Sequence, residues 1–162
     1  MLAVFGDIKP DATIDLCERF FNSLPGASRP DTTISPPPDA NPREIHQYLK
    51  KEQTVIAVGF PGAYIASEDV PALEGINEYC SSMAGPLFSR LREELGLAYY
   101  VNATQFHGID KGMFAFYIGT APDKADLARQ ELLAQIERLT NEGIQDPELA
   151  HTKTSVLAGD AL

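Results

Sequence analysis

From residue 53 onward the apolar positions fall into runs with sharp boundaries. Residues 53–60, Gln-Thr-Val-Ile-Ala-Val-Gly-Phe, are rich in β-formers and stop at Pro61-Gly62, which predicts a strand. Asp69-Val70-Pro71 opens a helix to about Ser82, with Leu73, Ile76, Tyr79 and Cys80 on one face. Ala84-Gly85-Pro86 interrupts it. Pro86 suits the first position of a new helix, in which Leu87, Leu91 and Leu95 recur every fourth residue and Gly96 marks the stop. Residues 98–106 and 113–119 are aromatic-rich. Gly108, Asp110 and Gly112 between them predict a hairpin. Residues 123–140 read as an amphipathic helix closed near Gly143, and Asp146-Pro147-Glu148 starts a last one.

The first part of the chain is built differently. Residues 2–8 are a short apolar run punctuated by Gly6-Asp7 and Lys9-Pro10, which predicts a strand. Asp11 is placed to cap a helix carrying Ile14, Leu16, Cys17, Phe20, Phe21 and Leu24, stopped by Pro25-Gly26. Residues 28–44 contain Ser35-Pro36-Pro37-Pro38-Asp39 and Asn41-Pro42. Their prolines resist helix and central strand alike, so this is read as a linker. The order is strand, helix, linker, strand, two helices, two strands, two helices. That predicts an α+β fold, a mostly antiparallel sheet with helices packed on one face.

Composition narrows the function. The chain has 162 residues, 44% hydrophobic and 22% charged, with a formal net charge of −10. A core is within reach at this size. The acidic balance argues against nucleic acid, which needs a basic face. No apolar run approaches the roughly 20 residues of a membrane span. Cys17 and Cys80 both fall in helical stretches among apolar neighbours, so buried free thiols are the plain reading.

Catalytic constellations are scarce. His46, His107 and His151 lack a second ligand at metal spacing, and none gives the inverted zinc motif His-x-x-Glu-His. Ser81, Ser82 and Ser89 have no nucleophile elbow around them. Gly6-Asp7 and Gly59-Phe60-Pro61-Gly62 match neither phosphate-loop pattern and are read as turn glycines.

One constellation stands out, Gly85-Pro-Leu-Phe-Ser-Arg-Leu-Arg-Glu-Glu-Leu-Gly-Leu-Ala-Tyr-Tyr100. At 100° per residue, Arg92 lies just off the face of Leu87, Leu91 and Leu95. Its stem can pack while the guanidinium reaches outward. Tyr99 falls at the start of the next strand, so both side chains can point into one cleft. Each offers hydrogen-bond donors suited to peptide carbonyls or to an oxyanion. The plainer alternative is that Arg92 pairs with a neighbouring glutamate and Tyr99 is core.

This stretch resembles the signature of the second half of pitrilysin/insulinase-type zinc metallopeptidases, the superfamily of the mitochondrial processing peptidase. Their pattern is roughly Gly-x-x-Ser-Arg-Leu-Phe-x-x-Leu-Arg-Glu-x-x-Gly-Leu-Ala-Tyr. The matching parts are Gly85, Ser89-Arg90-Leu91, Arg92-Glu93-Glu94 and Gly96-Leu97-Ala98-Tyr99, compressed between Gly85 and Arg92. Weaker likenesses follow in order along the chain. Leu2-Ala-Val-Phe-Gly-Asp-Ile8 is similar to the family's Val-x-Gly-Asp strand, and Thr54 onward and Phe114 onward are similar to two later strands.

The resemblance implies two homologous halves around a chamber. The first half would carry His-x-x-Glu-His and zinc, and the second would supply the substrate-binding pair, here Arg92 and Tyr99. No cofactor is expected in this chain and no catalytic residue. Zinc is expected in the other half, on the same protein or on a separate homologous chain, with an extended peptide as substrate. Residues 1–27 would close the preceding domain, 28–44 would be the linker, and 45–162 would be the substrate-binding domain, truncated at its C-terminus. Residues 2–8 would then be an orphan strand, expected to pair with the sheet within one chain or by exchange in a homodimer. Two other readings are a catalytically inactive scaffold or regulatory partner of the same family, and an unrelated α+β binding module.

Overall fold

A computed structural model describes residues 2–26 and 42–160. Residues 27–41, which hold most of the expected proline linker at 28–44, lie outside the described residues. The chain divides into two units, Met1–Ala40 and Asn41–Leu162.

In the first unit, helix α1 spans Pro10–Phe21. It starts one residue before the expected cap. Lys9 occupies the cap position, and Asp11 lies in the first turn, where a carboxylate faces the positive end of the helix dipole. The apolar run at residues 2–8 forms no strand, and the sheet of this protein contains only three strands among the described residues. The expected strand is therefore absent from this single chain. A β-rich composition records fit to a pleated surface and provides no ladder partner. Gly6 also breaks the run, at φ 137°. No residue of α1 is buried, and Ile14, Leu16, Phe20 and Phe21 are exposed.

The second unit is built on strands β1 (Thr54–Gly62), β2 (Tyr100–His107) and β3 (Gly112–Thr120). The order is β1-β3-β2, antiparallel throughout. Ile56 pairs with Ile118, and Ile118 with Val101; Val58 pairs with Phe116, and Phe116 with Ala103. Alternation along each strand puts these side chains on one face, and that face is the core. Helix α2 (Val70–Ser81) brings Leu73, Ile76, Tyr79 and Cys80 to it, and α3 (Ala125–Glu142) brings Ala128, Leu132, Ile136 and Leu139. The α2 stripe is the one read from the sequence, and α3 is amphipathic as expected. Helix α4 (Asp146–Asp160) packs on α2, with Tyr79 Oη donating to Glu148 Oε2 at 3.2 Å. The architecture is the expected α+β layer pair.

The opposite sheet face carries Val55, Tyr117, Tyr100, Phe106 and Met113, and the Tyr100 ring lies over its partner Gly119. A Cβ at Gly119 would collide with that ring. Glycine is thus what lets the aromatic fold flat across the strand.

Candidate functional site: the π-helix and the start of β2

Arg92 and Tyr99 lie on either side of one tight connection. The helix between them is not α. It is a π-helix over Phe88–Glu94. Ser89 N–H still closes an ordinary turn on Gly85 O at 3.0 Å, but Leu95 N–H reaches Arg90 O, five residues back, at 3.2 Å. Such widened turns are rare and recur at functional sites. The wheel drawn at 100° per residue therefore holds for Leu87 and Leu91, both buried, and drifts by Leu95, which is only half-buried.

Gly96 ends the helix at φ 58°, the left-handed conformation that glycine adopts without strain. Leu97 N–H then donates back to Leu91 O at 2.8 Å, and Ala98 N–H to the same oxygen at 3.2 Å. The first of these closes seven residues, one more than the six-residue closure of a Schellman turn, in keeping with the widened helix that precedes it. This is why the strand begins at Tyr100 and not at Ala98 as the sequence suggested. Leu97 and Ala98 are spent on the turn and buried beneath it. Tyr99 is the first residue to reach the sheet, donating its N–H to Gly119 O at 2.8 Å.

The plainer alternative for the pair does not hold in this structure. Tyr99 is 53% exposed, so it is not core. Arg92 is exposed and has no ion pair with a glutamate among the described residues. Its neighbour Arg90 takes that role. Arg90 Nη1 donates to Glu94 Oε2 at 2.8 Å, and its Nε lies 3.5 Å from Glu131 Oε2. The hydrogen bond to Glu94, with the Glu131 charge, raises the Arg90 pKa above its ordinary value. The Arg92 guanidinium carbon instead lies 5.0 Å from the centre of the Phe88 ring, within cation–π range.

From Leu87 onward the family pattern also lies on the chain without compression, Leu87-Phe88 taking its Leu-Phe and Leu91-Arg92-Glu93 its Leu-Arg-Glu. Its Gly and Ser-Arg then fall on Ser82 and Gly85-Pro86. Leu87 and Leu91 are the buried knobs of the helix. The spacing from Arg92 to Tyr99 is unchanged, and Phe88, passed over in the sequence reading, becomes part of the site. Aromatic-to-arginine spacing of four on a helix was the signal that could have found it.

Zinc does not fit these residues. His107 lies against a backbone oxygen, Ala63 O, with its Nδ1 at 3.1 Å, its Nε2 being buried without a partner. His46 is exposed beside Glu44, and His151 is exposed on α4. Among the described residues no group of three or more His, Cys, Asp or Glu is placed to hold a metal ion. No helix among them is long and apolar enough to cross a membrane.

Comparison with known proteins agrees with the architecture. A family model described as "Peptidase M16 inactive domain" matches residues 1–156. An "uncharacterized zinc protease" of Rickettsia bellii is 30% identical over 159 residues, which is 96% of this chain and 37% of that protein. One of Bacillus subtilis is 27% identical over 154 residues, again 37% of its length. The chain thus spans little more than a third of these relatives. Among solved structures, a protease from Helicobacter pylori superposes with a TM-score of 0.72 at 21% identity, covering 96% of this chain and 39% of that one. A peptidase M16 inactive domain from Pseudomonas fluorescens gives 0.65 at 18% identity, covering 69% and 28%.

Proposed function

The chain belongs to the peptidase M16 inactive-domain family, and from that premise we propose that it is the peptide-gripping part of a zinc metalloendopeptidase. Arg92 and Tyr99 hold the extended substrate, and the metal and its base belong to a zinc-binding half on the same or a homologous chain. One observation supports this above the rest. Arg92 and Tyr99 are both exposed where the helix turns into the sheet, and the nearby carboxylates Glu94 and Glu131 are drawn onto Arg90. A guanidinium without a carboxylate partner keeps its five N–H donors for planar acceptors such as peptide carbonyls or a carboxylate. A phenol adds a single directed donor.

In this reading residues 1–27 complete the preceding domain, residues 28–44 link, and the unit from residue 45 binds substrate. The uncovered apolar side of α1 is consistent with a partner in that preceding domain. The test is Arg92→Ala in the full-length protein. Losing a donor to a developing oxyanion lowers turnover roughly 10²–10³-fold, with zinc content unchanged. Unaltered turnover of an unstructured peptide would remove Arg92 from the mechanism. A parent without a His-x-x-Glu-His motif, in itself or in a co-purifying chain, would instead make this a binding scaffold of the same family.

A further inference from the structure

We propose that Phe88 is a positioning residue for substrate binding, its ring serving as the platform that presents the Arg92 guanidinium to the peptide. The inference rests on the reading of Arg92 as the peptide grip.

Three observations converge on it. The Arg92 guanidinium carbon lies 5.0 Å from the Phe88 ring centre. Among the described residues, Arg92 has no hydrogen-bonded or ion-paired side-chain partner. Phe88 is itself half-buried and follows Leu87, which is buried in the core. The ring is thus partly shielded from solvent, whereas Arg92 is exposed.

The chemistry favours a ring over a carboxylate at this place. A free arginine side chain has several rotatable bonds, and fixing them on binding opposes affinity. A carboxylate partner would fix them too, but it would occupy the N–H donors that the peptide needs. An aromatic ring attracts the cation through its electron-rich face and consumes no N–H donor. The π-helix has a part in this. Phe88 and Arg92 are its first and fifth residues, and Arg90, between them, points to Glu94 and Glu131. One short helix thus holds one arginine as a structural cation and the other as an available one.

The test is a double-mutant cycle in the full-length protein, read on an unstructured peptide substrate. Phe88→Leu keeps an apolar side chain and removes the ring. It should lower kcat/KM roughly 3- to 10-fold, the range of a partly exposed cation–π contact, while Phe88→Tyr stays within about twofold because a phenol ring binds cations as well. In an Arg92→Ala background, Phe88→Leu should have no further effect. A cost of Phe88→Leu that persists in that background would show a merely structural role and overturn the proposal. So would a normal kcat/KM for Phe88→Leu alongside a strong loss for Arg92→Ala, which would leave the grip standing and remove only its platform. If Arg92→Ala itself changes nothing, the grip falls and the platform with it. The contact can also be read without substitution. In the isotope-labelled protein the Arg92 side-chain protons should be shifted upfield by the ring, and ordinary shifts would overturn the proposal even if Phe88→Leu failed to fold.

Discussion

Helices α1 and α2 are twelve residues each, each with a proline in its first turn, an apolar stripe and one cysteine. Their fates differ. Helix α2 lays its stripe on the sheet, and Cys80 is fully buried. Helix α1 buries nothing, and Cys17 is half-buried at most. Amphipathic spacing therefore shows that a helix has a face to cover. It does not show which segment covers it. In the second unit the covering surface is a sheet whose paired positions contain no Asp, Glu, Lys or Arg.

The strongest way to break this comparison is a charge on each stripe. Ile76→Asp forces a carboxylate against the core cluster and should cost about 3 kcal/mol. Leu16→Asp, on the exposed face of α1, should stay within about 0.5 kcal/mol. Urea unfolding followed by circular dichroism measures both. If residues 1–27 complete a preceding domain, the two costs should converge in the full-length protein. Equal costs already in the present chain would mean that the exposure of α1 is misleading.

What could be read from the sequence follows the same division. The hairpin, α2, α3 and α4 were legible because period and punctuation agree with the packing that resulted. Residues 2–8 were misread because β-propensity was taken to imply a ladder. The π-helix was misread because a fixed 100° step was applied to Phe88–Glu94. The start of β2 slipped by two residues because the closure of Leu97 and Ala98 on Leu91 O has no signature beyond Gly96. Arg92 and Tyr99 were singled out by physics as one option and raised by the family resemblance. Phe88 carries no mark of a role in the sequence beyond its spacing of four from Arg92.

The two cysteines sharpen the comparison through pH. Burial pushes the Cys80 thiol up to about 12, against roughly 8.5 in an unfolded chain. The folded state thus holds a proton that the unfolded state releases between these values. Stability from this group is full below about pH 8.5 and declines as pH rises toward 12. Between pH 8.5 and 10 the loss should be about 2 kcal/mol, at 1.36 kcal/mol per unit. Cys80→Ala should flatten that alkaline slope in urea titrations. Thiol labelling of the folded chain at pH 8 should modify Cys17 well before Cys80, since the thiolate is the reactive form and needs access. A slope unchanged by Cys80→Ala would assign the alkaline loss to other groups.

The smallest expected effect concerns the polar ends of the two helices. In α1, Thr13 Oγ1 bonds only to its own helix, donating to Lys9 O at 3.0 Å. In α2, Ser81 bonds to the sheet. Its Oγ donates to Ala103 O at 3.2 Å and accepts from Ala103 N–H at 3.1 Å. Because β2 is an edge of the three-stranded sheet, Ala103 would otherwise present both backbone groups outward, as edge strands do. One hydroxyl satisfies the pair. Ser81→Ala leaves a part-buried donor and acceptor to whatever water reaches them, and should cost about 1 kcal/mol. Thr13→Ala removes a bond the exposed helix hardly needs and should cost a few tenths, partly offset by alanine's higher helix propensity. Amide hydrogen exchange gives the sharper readout. The Ala103 amide should exchange faster in Ser81→Ala by the factor its lost bond implies, about fivefold for 1 kcal/mol, while amides at the β2–β3 interface shift only with global stability. An Ala103 amide that exchanges no faster than those neighbours would mean that water replaces the serine without loss, and the last residue of α2 would then hold the sheet no more firmly than α1 holds anything.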